Sequence, residues 1–376
     1  MGQAAFSWRN AYRRAVPMWH LVTDRDGAVV ESLRGHRVGD VIDVPKWGCL
    51  VTICRGLRVG VVAVTDAGAI FPVTPEDDEA SWAVDPARSG DRFALTRVGL
   101  DGSRRTAAWT IGGELDTDPP NAPPDATPTP IRRVGWPTRG GTFEGLLATP
   151  TGRGPHPLVV YLHGGPWFGL RVGEVGDSAF WTKHGAALLQ SDYAGSGILG
   201  EKMMWEPLRS VGMPERDLDA DGVLDGVDQL VTAGIADPAR LYVYGFSAGG
   251  YLVNRIVTRQ HPFAAAACWD GPADVRTFTG NTRHIQIFFR GCTPEARPDL
   301  WDGASPMSRP EAVTTPLTII SGGQSNVRAD SAAWHAALTR AGVDSDLVVY
   351  PDEDHLFSSP AHLAALKRLA RSWGLP

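Results

Sequence analysis

Ser247 lies in the run LYVYGFSAGG, where an apolar stretch ends in Gly245-x-Ser247-x-Gly249. A tight strand-to-helix turn needs small residues on both sides of a serine if its hydroxyl is to stand clear of a sheet. The backbone N–H of the next residue then points at the same spot. Apolar LYVY before the motif and YLVNRIVTRQ after it supply the strand and the helix that such a turn joins. A hydroxyl held this way becomes a nucleophile once a base takes its proton. His355 is the candidate base. It sits in Tyr350-Pro351-Asp352-Glu353-Asp354-His355, just past the last strand-like run, and follows the serine in the chain order this kind of site uses. His163-Gly164-Gly165-Pro166 follows the first strong apolar run of the region. Its small residues let backbone approach a ligand, so the N–H groups of Gly165 and Ala248 are the candidate donors to a developing oxyanion. His163 itself reads as structural.

The elements that must position these groups alternate in type. Strand-like runs are predicted at Leu158–Leu162, Ala186–Gln190, Leu241–Tyr244, Ala264–Trp269, Leu317–Ser321 and Leu347–Tyr350. Helical spacing is predicted from Asp219 to Ala233, with Val223, Val227, Leu230 and Val231 on one face, and again over Ser331–Ala341 and Ala361–Trp373. Strands alternating with helices imply an α/β fold: a mostly parallel sheet covered on both faces. Residues 1–118 differ. Short Val- and Ile-rich runs (Val41–Val44, Cys49–Cys54, Val59–Thr65) are separated by turn signals such as Asp26-Gly27, Gly39-Asp40 and Asp101-Gly102, which predicts a smaller, mainly-β domain. Phe6–Arg14 is predicted as a short helix and the acidic run Glu76–Glu79 as a solvated loop. Two or three blade-like sheets fit this length, but a full propeller does not. Between the two regions, residues 119–130 carry six prolines. Proline fixes φ and removes a donor, so this stretch is predicted to be an extended linker. The expected domains are therefore 1–118, a linker at 119–130, and a catalytic domain at 131–376.

Composition narrows the function classes. The chain has 376 residues, 43% of them hydrophobic, and a formal net charge of -6. Nucleic acid as a partner calls for a basic footprint, which this balance does not offer. No apolar run is long enough to span a membrane. The opening MGQAAFSWRN lacks the apolar core of a signal peptide and has Phe6 where a lipidation pattern wants Ser or Thr. Cys49, Cys54, Cys268 and Cys292 form no C-x-x-C pair and no zinc pattern. Free thiols in a reducing cytoplasm are expected, with a Cys49–Cys54 hairpin bridge as the alternative. Asp217-x-Asp219-x-Asp221-Gly222 followed by Asp228 has calcium-loop spacing. Val223 and Val227 already stand at helical spacing inside it, so it reads as an acidic first turn that suits a helix dipole. No metal or organic cofactor is expected.

Residues 131–376 resemble the catalytic domain of the prolyl oligopeptidase (S9) family of serine peptidases. The resemblance rests on HGGP, ADPARLYVYG, GFSAGGY, ASPMSRPEAVTTPLTIISGG and YPDEDHLF. It implies an α/β-hydrolase fold, Ser247 as nucleophile, His355 as base and an oxyanion glycine within Gly164-Gly165. It also exposes two departures. The family's acid loop begins His-Gly and carries an Asp soon after. Here Ser321 stands in place of that His, and the Asp position falls on Ser325 or Asn326. Asn326-Val327-Arg328 matches the family's Asp-Val-Arg with one inserted residue, which favours Asn326 as the third member. The alternative is Asp270, a carboxylate at the end of another strand. The second departure is the short N-terminal region, which is a propeller remnant or lid rather than a full propeller. The function expected is hydrolysis of a peptide or small amide through an acyl-enzyme, of aminopeptidase or oligopeptidase type. The other readings are an esterase, acyltransferase or cyclase, and a peptide-binding pseudo-enzyme. The oligomeric state is not legible.

Overall fold

The structure, a computed structural model, describes residues 37–117, 130–165, 168–173, 176–196, 217–278, 289 and 292–376. The expected helix at Phe6–Arg14 and all but the last residue of the Pro-rich stretch lie outside the described residues. The chain divides into two units. The first takes the described residues up to Arg133 and those of Gly169–Gly176, and the second takes the rest. The division thus falls just past the 119–130 boundary expected from composition, and Gly169–Gly176, inside the expected catalytic domain, goes with the first unit.

The described residues of the first unit form β-strands and the turns between them. Strands β1 (Arg37–Val44), β2 (Gly48–Arg55), β3 (Arg58–Thr65) and β4 (Ile70–Pro72) form one antiparallel meander. Strands β5 (Ala80–Ser89), β6 (Arg92–Gly99), β7 (Arg104–Thr110) and β8 (Leu115–Thr117) form a second. The two join where Val59 of β3 pairs in parallel with Ser81 of β5. Gly56 makes the tight β2–β3 turn possible at φ 60, a left-handed conformation that costs glycine little. Strand β2 is buried at nearly every position because apolar side chains cover both of its faces: Leu50 joins a core with Trp82, Phe93 and Trp109, whereas Cys49, Val51 and Ile53 join another with Val62 and Val64. The acidic run, expected to be solvated, is partly built in. Asp78 accepts from Arg97 Nε at 2.8 Å and from Trp82 Nε1 at 2.9 Å. Burial works against its charge, but these two partners outweigh it and hold the Asp78 carboxyl below its ordinary value.

The second unit carries a sheet of order β16-β15-β14-β13-β11-β12-β10-β9. Its strands are β9 (Ile131–Thr138), β10 (Gly141–Ala148), β11 (His156–Leu162), β12 (Ala187–Ser191), β13 (Ala236–Phe246), β14 (Ala265–Trp269), β15 (Leu317–Gly322) and β16 (Ser345–Tyr350). From β12 to β16 the pairing is parallel, and β10 runs antiparallel to β12. The inner strands are continuous apolar runs because helices cover both faces. The helices are α1 (Ser178–Lys183), α2 (Leu218–Thr232), α3 (Ala248–Val257), α4 (Pro298–Ala304), α5 (Arg328–Arg340) and α6 (Ser359–Ser372). Among the described residues no helix is long and apolar enough to cross a membrane. Helix α2 buries Ala220, Val223, Val227 and Leu230, the face its spacing predicts. Its acidic start is taken up by arginines. Arg255 on α3 bridges Asp217 and Asp219, and Arg259 bridges Asp217 and Asp221. Guanidinium groups therefore stand against the carboxylates whose spacing resembles a calcium loop.

Candidate active site

Ser247 sits between β13 and α3 at φ 56 and ψ -116, a conformation non-glycine residues rarely hold. Two close approaches make the motif's glycines necessary. A methyl carbon on Gly245 would lie 2.3 Å from Gly249 O, and one on Gly249 would lie 2.0 Å from Leu162 O. Nothing larger fits a strand and helix packed this tightly. The elbow is held by Ser247 N donating to Trp269 O at 2.9 Å, while Tyr251 N donates to Ser247 O as α3 begins. The serine is half-buried, with its hydroxyl at the C-terminal edge of the sheet.

His355 follows β16 and reaches the same edge. Its Nε2 is 3.0 Å from Ser247 Oγ. On the far side of the ring, Nδ1 is 2.5 Å from Asp270 Oδ2. A fully buried carboxylate on Nδ1 keeps the proton on that nitrogen, which leaves Nε2 free to accept from the serine hydroxyl. Asp270 therefore stands where Asn326 was the first expectation. Asn326 is exposed in the turn that leads into α5, and its neighbour Ser325 is the buried one. The reason lies in strand register. Trp269 of β14 pairs with Ile320 of β15, and Asp270 N donates to Ile320 O at 2.7 Å. The residue that ends β14 is thereby set beside the β15 loop, and its carboxylate fills the space a carboxylate from that loop would use. Asp270 accepts from Ser321 Oγ at 3.0 Å, Gly322 N at 3.2 Å and Ser325 Oγ at 2.5 Å, besides His355. Sequence reasoning named Ser321 and Ser325 only as departures from a pattern. Nothing local marks them as ligands of a distant aspartate.

The glycine turn after β11 packs on the elbow. A methyl carbon on Gly164 would be 3.3 Å from Ser247 Cβ, and Gly165 has a left-handed φ of 50. Gly164 thus lies against the serine, with Gly165 next to it in the turn, and Ala248 follows Ser247 in the chain. A clamp missed in the sequence holds this turn from the loop after β12. Tyr193 stacks on the His163 ring at 4.4 Å and its hydroxyl donates to His163 O at 2.8 Å. Burial pushes that hydroxyl well above its ordinary 10.0, so it remains a donor. His163 Nε2 faces Ser196 Oγ at 2.8 Å and Asp192 Oδ1 at 3.3 Å. His163 is thus buried, with its ring engaged by Tyr193, Ser196 and Asp192. The buried polar run Ser191-Asp192-Tyr193 after an apolar strand is the signal that would have revealed the clamp. Two large apolar side chains stand in the open: Phe168, 59% exposed and against Gly165, and Leu356, 77% exposed and next to His355 in the chain. Cys268 lies one strand away, but burial pushes its thiol up to about 12. None of the four cysteines is in a disulfide.

A parallel sheet covered by helices, with a serine elbow at one strand end and a histidine and a carboxylate at two others, defines an α/β-hydrolase. The model of the prolyl oligopeptidase family matches residues 176–374, and the chain belongs to that family. It is 26% identical over 234 residues to acylamino-acid-releasing enzyme 1 of Oryza sativa subsp. japonica, covering 58% of this chain and 30% of the relative. It is 24% identical over 231 residues to dipeptidyl aminopeptidase BIII of Pseudoxanthomonas mexicana, covering 58% of this chain and 33% of the relative. Among solved structures, Porphyromonas gingivalis dipeptidyl peptidase 4 superposes with a TM-score of 0.80 at 16% identity, over 94% of this chain and 52% of that one. These matches span about a third of the length of the curated relatives and about half of the solved structure.

Proposed function

We propose that the protein is a serine hydrolase that cleaves a peptide or small amide through an acyl-enzyme at Ser247. The observation that carries this is the unbroken chain of hydrogen bonds from Ser247 Oγ through the His355 ring to Asp270. In this reading Ser247 Oγ attacks the substrate carbonyl while His355 Nε2 takes its proton. The negative charge on the carbonyl oxygen is met by the N–H groups of Gly165 and Ala248. His355 then returns the proton to the leaving amine, and a water repeats the steps on the acyl-enzyme. Asp270 holds the tautomer and steadies the imidazolium. The relatives named as acylamino-acid-releasing enzyme and dipeptidyl aminopeptidase support short peptides, cut near an amino end, as substrates. In the proposed organisation, 131–376 is the catalytic domain, 119–130 a linker, and 1–118 a small mainly-β domain. Four cysteines outside any disulfide support a reducing, cytoplasmic setting.

A fluorophosphonate probe and a panel of chromogenic aminoacyl and dipeptidyl amides test the reading together. Labelling at Ser247, lost in Ser247→Ala, with turnover of at least one amide is expected. An unlabelled Ser247 in folded protein, beside a control hydrolase that labels, would sink it.

A further inference from the structure

We propose that Ser325 is a positioning residue for the base, acting through Asp270. The inference rests on the reading of Ser247, His355 and Asp270 above. The shared point is Asp270 Oδ2. His355 Nδ1 and Ser325 Oγ each lie 2.5 Å from it, so the two donors stand within two hydrogen-bond lengths of each other. The direction of the Ser325 O–H is settled by its own turn. Its Oγ accepts from Val327 N at 3.2 Å, which leaves its single proton for Asp270. The turn itself is tied down, with Ser325 N donating to Gly322 O at 3.3 Å and Arg328 N donating to Ser325 O at 3.1 Å.

Asp270 needs such support. It is wholly buried, and an ionised carboxylate out of water must have its lone pairs filled. A carboxylate offers about four acceptor sites. Ser321 Oγ and Gly322 N fill those on Oδ1, and His355 Nδ1 and Ser325 Oγ fill those on Oδ2. Three of these donors come from the end of β15 and the loop that follows it, so they fix the plane of the carboxylate as well as its place. Without the Ser325 hydroxyl, Oδ2 is held only by the ring it is meant to orient, and that ring is partly exposed.

The test uses the full chain and steady-state turnover of a chromogenic amide, with circular dichroism as a fold check and proton NMR of the low-field His355 Nδ1–H. Ser325→Ala is expected to lower kcat about tenfold, the worth of one charge-assisted hydrogen bond, at unchanged KM, and to weaken the low-field signal. Ser325→Thr, which keeps the hydroxyl, should restore both. Asp270→Gly suits the left-handed φ of 49 at that residue and should lower kcat by about 10⁴. A wild-type kcat for Ser325→Ala, or an undiminished low-field signal in it, overturns the proposal while leaving Asp270 as the acid. A wild-type kcat for Asp270→Gly overturns the acid assignment and this proposal with it.

Discussion

Arg255→Met should cost about 3–5 kcal/mol of stability, and the loss should nearly vanish when its two aspartates are neutralised with it. Arg255 Nη1 is 2.7 Å from Asp219 Oδ2, and Nη2 contacts Asp217. The side chains of Arg255, Asp217 and Asp219 are 15%, 4% and 11% exposed, so neither partner can turn to water once the arginine is gone. Two unit charges 4 Å apart attract by about 4 kcal/mol at an effective dielectric of 20, and desolvation of the ions cancels most of that. The net worth of the intact cluster is therefore small. The loss from breaking one side is large, because buried Asp219 is left beside Asp217 without its guanidinium, while Asp217 keeps only Arg259. Burial already holds the Asp219 carboxyl well above its ordinary 3.8, with Asp217 beside it adding to the effect. In Arg255→Met the Asp219 carboxyl moves further up, and that of Asp217, held low by Arg255 and Arg259 against its burial, rises too. A raised acid contributes stability below its unfolded value and loses it as pH rises through the folded one. The variant should therefore be closest to wild type in acid and worst at neutral pH. Urea unfolding followed by circular dichroism, on Arg255→Met, Asp217→Asn/Asp219→Asn and the triple variant, measures the cycle. Arg255→Met within 1 kcal/mol of wild type, or a triple variant as weak as Arg255→Met, would show that this cluster does not hold α2 to α3. The helix concerned starts at Ala248, so its loosening should also slow fluorophosphonate labelling of Ser247.

Other outcomes follow from single contacts. Tyr193→Phe leaves the buried His163 carbonyl without its donor; kcat should fall about tenfold with KM unchanged, as expected if the Gly164-Gly165 turn loses its orientation. Gly249→Ala should give little folded protein and no labelling, because its methyl would meet Leu162 O at 2.0 Å; a labelled, soluble variant would contradict the elbow's packing. Burial pushes the Asp330 carboxyl up to about 6, so its contribution to stability is present below 3.8 and lost as pH rises through 6. Urea midpoints of wild type minus Asp330→Asn should drop by about 3 kcal/mol between pH 4 and pH 7. Isothermal titration with calcium should give no heat above background, since Arg255 and Arg259 already engage the carboxylates with calcium-loop spacing.

Much of the fold was legible because each pattern has one dominant cause. Parallel strands buried on both faces read as unbroken apolar runs, and Leu317–Ser321 or Leu241–Tyr244 fall inside β15 and β13. The face of α2 was legible from Val223 and Val227, which have only one way to be buried together. Strand starts were less so. Strand β13 begins at Ala236, five residues before its apolar core, where Asp237 and Arg240 pair with each other on the surface and give no periodic signal. The acidic run Glu76–Glu79 misled for a related reason. Charge density predicts solvent, but Asp78 is matched by Arg97, nineteen residues on and a strand away.

The candidate site divides along the same line. Ser247 was legible because its geometry is local: a strand, two small residues and a helix are all contiguous with it. His355 was legible because loops after parallel strands all open at one edge, so position after the last strand suffices. The acid depends on a relation between strands. A motif comparison reads along one loop, and there it finds Asn326. The carboxylate that reaches His355 comes from the neighbouring strand, and which of two adjacent strand ends supplies it depends on register and on whether the donors of one loop can serve the acid of the other. Asp270 carried its own signal, a carboxylate that ends an apolar run and precedes Gly271, where a methyl carbon would lie 2.4 Å from Gly250 C. Such close packing against the elbow helix brings the end of β14 to the edge where Ser247 stands. An aspartate buried there must find partners, and a histidine from the loop after β16, a serine at the end of β15 and another from the loop after β15 are what that edge offers.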